Sequence, residues 1–145
     1  MEVSLQNSIK VVIDYYEGAY GPTLRIDVQA ADRLVLLRGL LLSLAESAER
    51  EIRLNEIPWV SSRPKVKIAV LMMTGNNGTE KPNLKVRAEG SDGVSISWSG
   101  SPAYWKRCAG LVDGLLKYAP RPGHQYLTNE TTDGILVELA FMETR

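Results

Sequence analysis

The chain has 145 residues, 44% hydrophobic and 23% charged, enough to bury a sizeable core in one domain without metal or disulfide staples. Seventeen basic side chains balance seventeen acidic ones, so the basic excess that phosphate binding draws on is missing and nucleic acid is not an expected partner. One cysteine cannot form a disulfide within the chain, no secretory pattern opens it, and its most apolar run, Leu34 to Ala45, is too short for a bilayer; the expectation is a cytoplasmic protein with no membrane association.

In chain order, KVVIDYY alternates with a period of two and predicts a strand, and EGAYGP turns the chain. TLRIDVQ follows as a half-buried strand with Leu24, Ile26 and Val28 on one face and Arg25 and Asp27 on the other. Asp32 is placed to cap a helix reaching about Arg50, whose stripe is Leu34, Leu37, Leu41, Leu44, Ala45 and Ala48. Val35, Leu36, Leu40 and Leu42 widen that stripe, so the helix is either deeply buried or shared with another chain. Strands are expected at EIRLNEI (51–57) and KVKIAVLMM (65–73), with PWVSSRP between them too rich in proline for either element.

TGNNGTEKPN reads as a long hairpin loop, and its glycines and lysine lack the spacing of a phosphate loop. LKVRAE and VSISWS then form a hairpin closed at Asp92-Gly93, with Lys85, Arg87 and Glu89 on its wet face. A second helix starts with Ser101 as cap and Pro102 in its first turn. Its stripe is Tyr104, Cys108, Leu111, Leu115 and Tyr118, and Pro120 and Pro122 end it. RPGHQYLTNETTDG is expected as a loop pinned by side-chain hydrogen bonds of His124, Gln125 and Tyr126. ILVELAFM, apolar except for Glu138, predicts a central strand. No internal repeat shows. The sum is a single α+β domain over residues 1–145: a mainly antiparallel sheet of about 6–7 strands with two helices packed on one face, a two-layer sandwich.

Chemistry-bearing patterns are sparse. One histidine and one cysteine do not make a common zinc site, and the loop carboxylates Asp92, Glu130 and Asp133 lack the ligand spacing of an EF-hand, so no metal and no cofactor is expected. Cys108 on the helix stripe reads as a small core hydrophobe rather than a nucleophile. Trp98 and Trp105 read as structural, as does Gln125, and Glu138 in apolar company calls for either a raised pKa or a cationic partner, of which a structural ion pair with an arginine is the commoner case. Trp59 in its proline-flanked loop is either a plug or a contact offered to a partner. With Lys85, Arg87, Glu89, His124 and Tyr126 it makes up the candidate partner-binding set.

The run SWSGSPAYW, followed by GHQYL and a last strand closing on Glu143, resembles immunity proteins of bacterial polymorphic-toxin systems over Val94 to Glu143. The matching positions are Trp105, His124, Gln125 and Tyr126. That resemblance implies a small cytoplasmic α+β protein that binds and blocks a toxin of the same bacterium. The neutral charge departs from the acidic character of many such proteins, which puts a nuclease partner in doubt. The expected function is therefore a non-enzymatic protein binder, monomeric or homodimeric, of the immunity type. Its rivals are a small enzyme using His124 with Glu138 or Glu143 as an acid/base unit, and an accessory subunit that oligomerises through the leucine-rich helix.

Overall fold

The computed structural model describes residues 11–19, 21–46, 50–73, 81–90, 93–128 and 135–143. The chain opens with strands β1 (Val11–Gly18) and β2 (Gly21–Val28) and the helix α1 (Ala31–Ala45). Strands β3 (Glu51–Arg53), β4 (Val60–Ser62), β5 (Val66–Met73), β6 (Asn83–Glu89) and β7 (Gly93–Gly100) follow, with a short 3-10 turn, Leu54–Glu56, after β3. Helix α2 (Pro102–Lys117) leads into β8 (Gly123–Tyr126) and β9 (Leu136–Phe141).

The α+β class stands, but the single, mainly antiparallel sheet does not. Among the described residues the strands form two mixed sheets, ordered β4-β1-β2-β9-β8 and β3-β5-β7-β6. The hairpins β1–β2 and β6–β7 are antiparallel, as their short turns require. The parallel pairs are all between strands that are not consecutive in the chain: β1 with β4, β2 with β9 and β5 with β7. Side-chain alternation gives a strand's faces but not the direction of its neighbour, which is why the mixed pairing was not readable.

Leaving β4 aside, the chain runs twice through hairpin, helix, paired strands. The first unit is β1–β2, α1, then β3 with β5; the second is β6–β7, α2, then β8 with β9. Each unit sends its last strand into the other unit's sheet, β9 onto β2 and β5 onto β7, in parallel both times. The two helices pack on each other at the centre, with α1 touching β2 and β5 and α2 touching β7 and β8. This duplicated order leaves no repeat in the sequence.

The core draws on both halves. Ile13, Leu24, Ile26, Val137, Leu139 and Phe141 supply it from one sheet, Leu71, Ile96 and Trp98 from the other, and Leu34, Leu37, Leu41, Leu44, Cys108 and Val112 from the helices. Burial of side chains this size contributes about 1.5–3 kcal/mol each. Trp98, Tyr104 and Trp105 form one aromatic cluster, with ring centroids 5.0 Å apart for both contacts of Trp105. Their polar atoms are all satisfied: Trp98 Nε1 donates to Tyr104 Oη at 2.9 Å, Tyr104 Oη to the Leu127 carbonyl at 2.8 Å, and Trp105 Nε1 to the Met72 carbonyl at 3.1 Å. A side chain at Gly100 would collide with the Tyr104 ring, so glycine is required where β7 meets α2. Ser101 caps α2, its hydroxyl accepting from the Tyr104 amide at 3.3 Å.

Several local expectations are corrected. The α1 cap position is Ala30, with Asp32 inside the first turn, where its carboxylate suits the positive helix end and pairs with Arg33 at 3.1 Å. The helix ends at Ala45, and Ala48 lies outside the described residues. Arg38 interrupts the apolar run because it faces Asp113 of α2, with which it forms an ion pair. EIRLNEI is a strand only as far as Arg53. Val60–Ser62 is a strand after all, since Pro58 and Pro64 flank it instead of occupying it. The expected loop at His124–Tyr126 is β8, paired antiparallel with β9.

Candidate functional site

The sheet faces turned away from the helices can be compared position by position. Across the five-stranded sheet one row reads Asp14, Arg25, Glu138, Tyr126. The same topological row of the four-stranded sheet reads Lys85, Ser97, Val70, Arg53. Neighbouring rows add Tyr16, Thr23 and Leu136 on the first face and Arg87, Ser95 and Ile68 on the second. The second face is a serine ladder between aliphatic and basic strands, ordinary for a wet sheet surface. The first carries an ionic cluster.

Arg25 is the centre of that cluster. Its side chain is 8% exposed, and its Nη1 lies 3.2 Å from Glu138 Oε1, whose side chain is 13% exposed. Tyr16 donates its hydroxyl to the same oxygen at 3.4 Å, and Asp27 stands 3.6 Å from Arg25 Nε. Burial pulls the Arg25 pKa down, but Asp27 and Glu138 outweigh it and leave the pKa raised, so the guanidinium stays charged. Arg25 Nε and Nη2 are buried without a hydrogen bond. The cationic partner expected for Glu138 is thus Arg25, one strand away on β2.

His124 extends the cluster to the edge. Its Nδ1 lies 2.9 Å from Glu143 Oε2, with the imidazole 44% and the carboxylate 25% exposed. The Tyr126 ring, next but one along β8, meets the imidazole edge-on at 5.3 Å between centroids. Single ligand atoms of His124, Glu138 and Glu143 lie within 4.8 Å of one another.

Beside His124 a pocket of about 220 Å³ opens between β8 and the end of α2, lined by Leu115, Tyr118, Arg121, His124 and Gln125 among others. Gln125 faces α2, its amide nitrogen 3.3 Å from where a Cβ on Gly114 would stand. Among the described residues the exposed large hydrophobic side chains are Val35 and Leu36 on α1, and Tyr118, Tyr126 and Met142 around β8. Met142 follows Phe141, the register partner of Gly123. A wider groove of about 510 Å³ separates α1 from β3, lined by Leu40, Ser43, Glu51, Ile52, Arg53 and Ile57 among others.

The candidate partner-binding residues fall in three places. Trp59 is half-buried and packs on the core just before β4, the edge strand opposite β8. Lys85 and Arg87 are exposed on β6, in the other sheet, and the Glu89 side chain lies outside the described residues. His124 and Tyr126 share β8. Asp92, Glu130, Asp133 and the loop 74–80 also lie outside the described residues. Cys108 is fully buried on the inner face of α2, and that burial pushes its thiol up to about 12. Arg25, Tyr16 and Asp27 escaped the sequence reading of the site, although the alternation of TLRIDVQ had already put Arg25 and Asp27 on one face.

Among the described residues no helix is long and apolar enough to cross a membrane. No family model, curated protein or solved structure matches this chain.

Proposed function

We propose that this protein is a non-enzymatic binder that docks a protein partner on β8 and the adjoining end of α2. One observation carries the reading: Tyr118 lines a concave pocket with Arg121, His124 and Gln125, and two more exposed hydrophobic side chains, Tyr126 on β8 and Met142 just past β9, stand along the same sheet edge. Tyrosine, methionine and arginine are the residue types enriched in interface cores, because they bring large contact area or forked hydrogen bonding to a pocketed surface. The charged cluster behind them supplies complementarity, which sets partner choice more than raw affinity.

The specific form of the reading is an immunity-type inhibitor, a cytoplasmic bacterial protein that covers the active surface of a cognate toxin. Support for that form is the motif resemblance between Val94 and Glu143, whose matching residues His124 and Tyr126 sit on β8. The test is co-expression with any toxin-like gene encoded beside this one. Growth rescue is expected, with Tyr126→Ala and Tyr118→Ala each weakening toxin binding by about 2 kcal/mol while circular dichroism stays native. Absence of rescue from every adjacent toxin-like gene rejects the immunity role.

A second reading is favoured by the 2.9 Å approach of His124 Nδ1 to Glu143 Oε2. A carboxylate that orients an imidazole beside a pocket is the arrangement of a general acid/base unit. It predicts turnover of a small substrate that His124→Gln abolishes, and that binding of a protein partner does not require.

A further inference from the structure

The geometry points to a divalent transition-metal site, best suited to zinc, built by His124, Glu138 and Glu143 on the outer face of the five-stranded sheet. The three side chains come from β8, β9 and the residue pair just past β9, and one donor atom from each lies within 4.8 Å of the others. One imidazole nitrogen with two carboxylates is a donor set that zinc accepts with its fourth position left open, whereas magnesium and calcium call for oxygen ligands throughout. Zinc bonds of about 2.0–2.2 Å set donor-to-donor edges of roughly 3.4 Å. Drawing the three together takes a rotation of the Glu143 and His124 side chains, both of which reach solvent.

Further observations point the same way. Two carboxylates held this close repel each other, and Arg25 compensates only Glu138; a dication between the three donors relieves that repulsion directly. Arg25 and Tyr16 both hold Glu138 Oε1, the kind of outer partner that fixes a ligating carboxylate. The equivalent row of the other sheet has Ser97 and Val70 in place of Arg25 and Glu138 and carries no such cluster.

This inference does not rest on the partner-binding reading: His124 belongs to both, but zinc binding is measured with no partner present. The test is calorimetric titration of chelator-treated protein with zinc, alongside thermal melting and imidazole NMR, which is unambiguous because the chain has one histidine. Expected are one equivalent of zinc, a rise in Tm, a shift of the His124 ring signals, and affinity reduced roughly tenfold or more in His124→Ala and in Glu143→Gln. Lys85→Ala binds zinc as the parent does. No stoichiometric binding by the parent at sub-millimolar zinc overturns the site, as does unchanged affinity in both ligand variants with native circular dichroism.

Discussion

The outer faces of the two sheets occupy equivalent places in a duplicated scaffold, and they have opposite chemistry. Where the four-stranded sheet sets Lys85, Ser97, Val70 and Arg53 in a row, the five-stranded sheet sets Asp14, Arg25, Glu138 and Tyr126. Ser97 and Val70 cost the fold little. Arg25 and Glu138 cost it the desolvation of two charges, several kcal/mol each before their mutual attraction repays any of it. An ion pair that the same topology does without elsewhere is a weak stabiliser and a strong pointer to use. The β8 edge adds exposed aromatic groups and the His124–Glu143 pair to the same face. The site is therefore located by contrast, through what one half has and the other half omits.

The largest effect that tests this contrast is expected at Glu138. Glu138→Ala leaves the buried Arg25 with only the longer contact to Asp27, and denaturant unfolding should show a loss of about 3 kcal/mol. Ser97→Ala, at the position equivalent to Arg25, should stay within about 0.5 kcal/mol. Replacing both partners, Arg25→Met with Glu138→Leu, should recover most of the loss in unfolding experiments. If the double variant is as unstable as Glu138→Ala, the pair serves the fold after all and the contrast loses its meaning.

A smaller effect concerns the interior that both sheets share. Burial raises the Cys108 thiol from 9.0 to about 12 and raises the Tyr104 phenol as well. Between those thiol values the folded state holds a proton that the unfolded state releases. This contribution is complete below about pH 9 and is lost as pH climbs toward 12, on the order of a few kcal/mol. Unfolding free energy should fall across that alkaline range, less steeply in Cys108→Ala. Rapid alkylation of Cys108 in the native protein at pH 8 would contradict its burial.

The smallest effect is expected on the plain face. Lys85→Ala with Arg87→Ala should change stability by less than about 0.5 kcal/mol and leave partner binding intact. A clear loss of binding in that variant would move the docking surface to β6 and reverse the assignment of the two faces.

Much of the scaffold was legible locally. The hairpin turn at Asp92-Gly93, the Ser101-Pro102 helix start and the solitary Glu138 in ILVELAFM each follow from short-range chemistry, and each led to the right element or the right kind of partner. β8 was missed because four residues between Pro122 and Leu127 carry no alternation long enough to read as a strand. The split into two sheets was missed for a different reason, since β5 and β9 both pair in parallel with strands that are not their neighbours in the chain.

By itself, the sequence determined which residues are apolar, how they alternate, where turns and caps fall, and that Glu138 needed a cation. Tertiary structure alone decided that Arg25 is that cation, that His124 meets Glu143, and that Tyr118 and His124 share a pocket. Periodicity is a property of neighbours along the chain, and it carries no information about which strand lies alongside. The pairings that bring β2, β9 and β8 together are made by burying a common core, and the site is assembled on the reverse side of that burial.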